Sequence, residues 1–187
     1  ISGKISGCSF SGSATGSYSS GGICGTTKNN TIITACANYG TVICTHIGGG
    51  IAGEMGTGSI AAGCYNTGAV NPGSASATSG GIVGESGSAV GCYNTGVLGG
   101  DSANSIARST IDCFTTVEYG GTKSGTTVFG SSAWPAYTDS SSSWYVDTNP
   151  DGSYTNSGTT FSNCKFWKSG GDWNGGTPVY PKLWWEE

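Results

Sequence analysis

The run Asp147-Thr148-Asn149-Pro150-Asp151-Gly152-Ser153 places oxygen-bearing side chains at alternate positions, with a glycine where a cation loop must turn. Asp147, Asn149, Asp151 and Ser153 are the front half of a calcium loop, in which such oxygens converge on a hard cation. The closing acid is missing, because Gly158 stands where an EF-hand has glutamate. A polar hairpin turn is the competing expectation, since Asn, Pro, Asp and Gly are turn formers. Trp173 lies between Asp172 and Asn174 in a glycine-rich stretch. An exposed indole there would stack on a pyranose ring, which makes Trp173 a candidate sugar-binding residue. Cys44 and His46 form a Cys/His pair, but residues two apart on a strand are ordinarily same-face neighbours. Arg108 is the only arginine and His46 the only histidine. A polysaccharide lyase or hydrolase needs acids clustered with such groups, so the expectation is a chain that is not an enzyme.

The element that must position these residues is a repeat. Cys64-Tyr65-Asn66-Thr67-Gly68-Ala69-Val70 returns as Cys92-Tyr93-Asn94-Thr95-Gly96-Val97-Leu98, with a looser copy from Cys36 and a faint one from Cys8. Cys8, Cys36, Cys64 and Cys92 are spaced by 28 residues, a period typical of stacked coils. Gly-Gly-Ile-x-Gly precedes each of the last three copies, at Gly21, Gly49 and Gly80. An insertion before Ile82 and a deletion after it cancel, so one coil per repeat is expected, with length changes confined to loops. Alternate residues of an extended strand share a face, which puts Cys64, Asn66, Gly68 and Val70 together and turns Tyr65, Thr67 and Ala69 away. Asn38, Asn66 and Asn94 then form a ladder of side-chain amides. The glycine pairs are expected to permit tight corners. Glu54 and Glu85 occupy equivalent positions on neighbouring coils. Carboxylates about 5 Å apart could hold a cation or act as an acid/base pair, but no Arg, His or third acid repeats beside them. Exposed turn residues are the favoured reading.

These paired motifs resemble the GLUG repeat family of bacterial surface proteins, over about residues 1–117. The resemblance implies a β-helix-like solenoid in a secreted or cell-surface protein of adhesin-like kind, and it carries no active site across. The ending Tyr180-Pro181-Lys182-Leu183-Trp184-Trp185-Glu186 is similar to the segment that closes such repeats. The fold expected is therefore all-β: a parallel β-helix-like solenoid with coils of about 28 residues over 1–117 and an aromatic-rich C-terminal cap over 118–187. All six tryptophans lie in that second part, where an end cap would cover the last coil.

Composition narrows the partners. With 35 glycines, 10% charged residues and a net charge of −4, nucleic acid is an unsuitable partner, and no stretch is apolar for long enough to insert in a membrane. The partners expected are a cell-surface glycan or protein, or further copies of the chain through coil stacking. No cofactor is expected beyond calcium at the loop described. The chain starts at Ile1 without an initiator methionine or signal peptide, which reads as a mature product or excised fragment. Eight cysteines fit an extracellular setting. Those of the ladder are expected as buried thiols, and Cys24, Cys44, Cys113 and Cys164 as the better disulfide candidates. Asp112-Cys113-Phe114-Thr115 reads as a shortened last copy. Asp101-Ser102-Ala103 is similar to an O-glycosylation sequon, with an exposed loop serine as the plainer expectation.

Overall fold

Small and β-branched residues extend this backbone for a few positions before glycine or a polar residue bends it. The computed structural model describes residues 3–74, 77–100, 102–116, 126–128, 144, 154–156, 159–161, 166–172 and 178–187. Coil 1 contributes β1 (Lys4–Ser6), β2 (Ser9–Phe10), β3 (Ser13–Gly16), β4 (Ser19–Gly21) and β5 (Cys24–Thr26). Coil 2 supplies β6 (Ile32–Thr34), β7 (Ala37–Asn38), β8 (Thr41–Cys44), β9 (Ile47–Gly49) and β10 (Ala52–Glu54). Coil 3 supplies β11 (Ile60–Ala62), β12 (Tyr65–Asn66), β13 (Val70–Pro72), β14 (Thr78–Gly80) and β15 (Val83–Glu85). Coil 4 has β16 (Ser88–Val90), β17 (Tyr93–Asn94) and β18 (Ser102–Asn104), and a trimmed turn follows with β19 (Thr110–Ile111) and β20 (Cys113–Thr115).

Each strand pairs in parallel with its equivalent one coil away, so five parallel sheets form the walls. The fold is the all-β parallel solenoid expected from the repeat. Lys4 faces Ile32, which faces Ile60, which faces Ser88. The insertion and deletion also find their places. Val42 and Val70 pair on the regular step, but Ile47 pairs with Thr78, three residues beyond it, and Ile60 with Ser88 restores it. The extra residues lie between β13 and β14, and the loss lies between β15 and β16. Hydrogen bonds between coils tolerate such changes only at corners, because a shift within a strand would turn every following side chain to the other face.

One corner recurs with a fixed conformation. The residue before each cysteine of the stack is left-handed: Gly7 (φ 65°), Ala35 (50°), Gly63 (55°), Gly91 (55°) and Asp112 (51°). Cys113 follows the last of these, and β20 pairs with β17 so that Phe114 faces Tyr93. The shortened copy is therefore real and Cys113 is a fifth member of the stack. This corrects the expectation that Cys113 lies off it as a disulfide candidate. Cys24 and Cys44 are free thiols as well, and Cys164 lies outside the described residues. Cys24 packs against the coil interior, and Cys44 is buried beneath Gly48, so their thiols serve packing.

The interior holds Ile33, Cys36, Ile51, Met55, Cys64, Ile82, Val83, Cys92, Ile106 and Cys113. Val42, Val70, Leu98 and Ala103 make a separate small cluster. The repeat motif is thus not one extended strand with Cys and Val on a single face, as alternation alone predicts. It bends between β12 and β13 because the Asn66 side chain bonds both Gly68 N–H and Gly68 C=O.

The described part of the aromatic region lies along the flank of the solenoid as well as at its end. β21 (Thr126–Val128) adds to the sheet beyond β20, so that sheet runs past residue 117. β22 (Tyr154–Asn156) and β23 (Thr159–Phe161) form an antiparallel hairpin, and β24 (Trp167–Ser169) pairs with β25 (Lys182–Leu183). Trp144, Phe166, Trp167 and Leu183 cover Ala35, Ala62, Tyr65, Val90, Tyr93 and Phe114 in a second apolar cluster outside the coil. Phe166 sits so close to Gly63 that a Cβ there would lie 2.5 Å from its Cγ. Gly63→Ala is expected to cost about 3 kcal/mol, from the left-handed φ and the overlap together. Urea unfolding measures it. Ala35 already tolerates the same corner one coil earlier, so a loss much below that figure would mean that Phe166 moves aside freely.

Candidate functional site

Two rows of side chains run the length of the coils, and their geometry decides what the repeat residues do. The first is the asparagine ladder. Asn38 Nδ2 donates to Asn66 Oδ1 (2.7 Å), and Asn66 Nδ2 donates to Asn94 Oδ1 (2.8 Å). Each Nδ2 also donates to the carbonyl two residues on, at Gly40, Gly68 and Gly96, and each Oδ1 accepts the N–H of the same glycine. All three side chains are fully buried. In such a place an unpaired amide is costly, and here its hydrogen-bonding capacity is used internally. The ladder ends at coil 1, where Phe10 stands opposite Asn38.

The ladder also explains the glycine pairs. A Cβ on Gly50 would come within 2.5 Å of Asn66 Cγ, and one on Gly81 within 2.5 Å of Asn94 Cγ. Neither residue is left-handed. The second glycine of Gly-Gly-Ile is therefore required by close approach and not by a left-handed φ. A Cβ would strike the amide it touches and, nearer still, a carbonyl of the next coil: Gly81 O for Gly50 and Ser105 O for Gly81. This is why the two motifs travel together.

The second row is Tyr39, Tyr65 and Tyr93. Tyr65 and Tyr93 stack face to face at 4.7 Å, and Tyr39 meets Tyr65 edge-on at 5.7 Å. The segment from β25 onward lies over them. Tyr39 and Tyr65 both donate to Glu186 Oε1, Tyr93 donates to the Pro181 carbonyl at 3.1 Å, and the Leu183 N–H donates to Glu186 Oε2. Trp185 Nε1 reaches back to the Ala35 carbonyl at 2.7 Å. We call this segment the strap. Burial pushes Tyr39 up to about 12, and burial followed by the Glu186 carboxylate raises Tyr65 and Tyr93 further. Sequence reasoning turned Tyr65 away from the ladder face correctly but assigned it no partner. The signal was present in a tyrosine repeated at one position and a tail rich in aromatic residues.

The remaining candidates separate. Glu54 and Glu85 are direct strand neighbours, as expected. Arg108, however, stands beside them, with Nη2 2.9 Å from Glu85 Oε1. Arg108 has no counterpart on the other coils, in keeping with the expectation that no arginine repeats here, but it supplies this one contact. The pair is solvent-exposed, so Glu85→Ala is expected to change stability by less than about 1 kcal/mol, as thermal unfolding would show. Cys44 and His46 do not form a dyad: Cys44 is buried, while His46 is exposed, stacks on Tyr18 at 5.4 Å and places Nδ1 3.1 Å from the Ser17 carbonyl. Ser102 belongs to β18 and is not in a loop. Among the described residues no group of three His, Cys, Asp or Glu side chains is placed to hold a metal ion. Asp147, Asn149, Asp151, Ser153 and Trp173 lie outside the described residues, as does Asp101. Trp144 and Trp167 are buried and Trp184 is 46% exposed, so Trp184 is the tryptophan of the described set that offers a ring to solvent. No protein-family model matches this chain, and neither a curated protein nor a solved structure matches it.

Proposed function

We propose that this chain is a non-catalytic, adhesin-like or structural module of a secreted or cell-surface protein. The reading rests on one observation: the residues that repeat are spent on the solenoid itself. The asparagines saturate one another, the cysteines fill the interior, the glycines admit the amides, and the tyrosines carry the strap. What remains outside is mainly hydroxyl-bearing and glycine residues on rigid walls, a surface suited to contact and spacing. The resemblance to GLUG repeats points to the same setting. Incubating the purified chain with neutral and acidic glycans, and separately probing a glycan array, tests the proposal. Binding or inertness without turnover is expected, and hydrolysis or elimination of any glycan would overturn it.

A second reading, a subunit that stacks into filaments, is favoured by coil 1. Among the described residues coil 1 is the outermost coil of every wall sheet, and its strands β1 to β5 carry a single charge, Lys4. Sheet edges lacking charge and proline invite pairing with another chain. Phe10 in place of the ladder asparagine limits such a contact to backbone pairing. Electron microscopy of the purified protein separates the readings, with ordered rods expected for the second and discrete particles against it.

A further inference from the structure

The five stacked thiols are not equivalent. Cys36, Cys64, Cys92 and Cys113 are buried, and each sits between neighbouring coils or strands. Cys8 is exposed, because coil 1 has a partner on one side only. Cys8 and Cys36 occupy the same corner of adjacent coils. Ser6 pairs with Thr34 before them and Ser9 with Ala37 after them, and the Ala37 N–H donates to the Cys8 carbonyl at 2.9 Å. Parallel neighbours are about 4.8 Å apart, inside the Cα separation that a disulfide accepts. Each thiol reaches the carbonyl two residues back, Cys8 to Ser6 O (3.5 Å) and Cys36 to Thr34 O (3.2 Å), so both project from the corner in the same sense.

We propose that Cys8 and Cys36 are a redox-active pair that closes into an inter-coil disulfide on contact with a dissolved low-molecular-weight disulfide, while the deeper thiols stay reduced. The Cys8 thiolate attacks the reagent, breaking its S–S bond, forming a mixed disulfide and releasing one reagent thiolate. The Cys36 thiolate then attacks Cys8 Sγ, forming the Cys8–Cys36 bond and releasing the second reagent thiolate. Two protein thiols are oxidised, one small disulfide is reduced, and the two protons pass to the departing thiolates. Cys8 can supply the rotation this requires, because its side chain is not enclosed. Cys64 and Cys92 cannot, since their Sγ atoms accept the N–H groups of Cys36 and Cys64 and are fully packed. Hydrogen bonds from Cys64 and from the Cys8 side also favour the thiolate of Cys36 against its burial. The bond ties the open first coil to the second, which places the redox state of the surroundings in control of how firmly that edge is held.

The test uses the reduced full-length chain treated with oxidised glutathione, then alkylated and digested. Trypsin leaves Cys8 and Cys24 in residues 5–28 and Cys36 in 29–108, and chymotryptic cleavage after Tyr39 isolates Cys36 from the later cysteines. A cross-link between the Cys8 and Cys36 peptides is expected, kept in Cys24→Ser and lost in Cys8→Ser. Amide exchange over residues 4–26 should slow on oxidation. A stable glutathione adduct at Cys8, a Cys8–Cys8 dimer, or a Cys24–Cys36 link would each overturn the proposal. Cys8→Ser changes an exposed side chain, so failure to fold does not confound the comparison.

Discussion

Asn66→Ala is expected to destabilise the solenoid by about 4 kcal/mol or more, the largest effect of any single side-chain truncation on the ladder. Asn66 is the middle rung and the only one bonded to amides on both sides. Its removal takes one of two acceptors from Asn38 Nδ2 and one of two donors from Asn94 Oδ1, frees the C=O of Gly68, and leaves the Gly68 N–H only its longer bond to the Asn38 carbonyl. Each orphaned buried group costs about 1–3 kcal/mol, and a cavity beside Gly50 adds to the loss. Asn94→Ala breaks only one rung-to-rung bond and should cost less. Asn66→Asp keeps the volume but sets a carboxylate oxygen against Asn94 Oδ1 and the Gly68 carbonyl, so it should be no milder than alanine at neutral pH. Guanidinium unfolding of the three variants measures the order. Equal, small losses in all three would mean that the ladder follows the fold and does not hold it.

The asparagine ladder also marks how far the sequence could be read. Its 28-residue period alone predicted parallel stacking, because only equivalent residues on adjacent coils can keep such a spacing. The trimmed last copy was legible in Asp112-Cys113-Phe114-Thr115, yet its cysteine was assigned away from the stack. Spacing was the signal used, and the two shortened loops before Cys113 removed it. Alternation sorted the side chains correctly, with Asn66 and Val70 buried and Thr67 exposed, but the bend made by Asn66 and Gly68 is a side-chain effect that a period of two does not contain. The repeated tyrosine and the aromatic tail hinted that something covers the row, but the Tyr39–Tyr65–Glu186 pairing itself was not legible. It joins residues 121 and 147 positions apart, and no local pattern encodes a pairing of that length. Arg108 beside Glu85 was missed for a related reason, because Arg108 belongs to the following coil and does not recur.

Raising the pH above 10 is expected to release the strap and then unfold the chain. Tyrosine in an unfolded chain ionises near 10. Tyr65 and Tyr93 are buried under the strap and keep their protons to a higher pH, held there by burial and by the nearby Glu186 carboxylate. Above pH 10 the folded state therefore binds more protons than the unfolded state, and stability must fall as pH rises. Below pH 10 these two groups contribute no pH dependence. Two such tyrosines give a slope of about 2.7 kcal/mol per pH unit; Tyr39, 43% exposed, adds less because water screens it. Burial raises Cys64 and Cys113, whereas hydrogen bonds from neighbouring cysteines outweigh burial and lower Cys36 and Cys92, so the stacked thiols act in opposite senses and the tyrosines set the direction above pH 10. Strap release is read from tryptophan emission, since the buried Trp167 and the half-buried Trp185 lose their cover when the Tyr93–Pro181 and Tyr65–Glu186 bonds go. Tyr65→Phe removes one of the two titrating groups and should cut the slope above pH 10 by about half, although it also lowers stability at neutral pH by losing the bond to Glu186. An unchanged slope in that variant would mean that alkaline unfolding is driven by the thiols of the interior and that the tyrosine row stays closed until the coils themselves come apart.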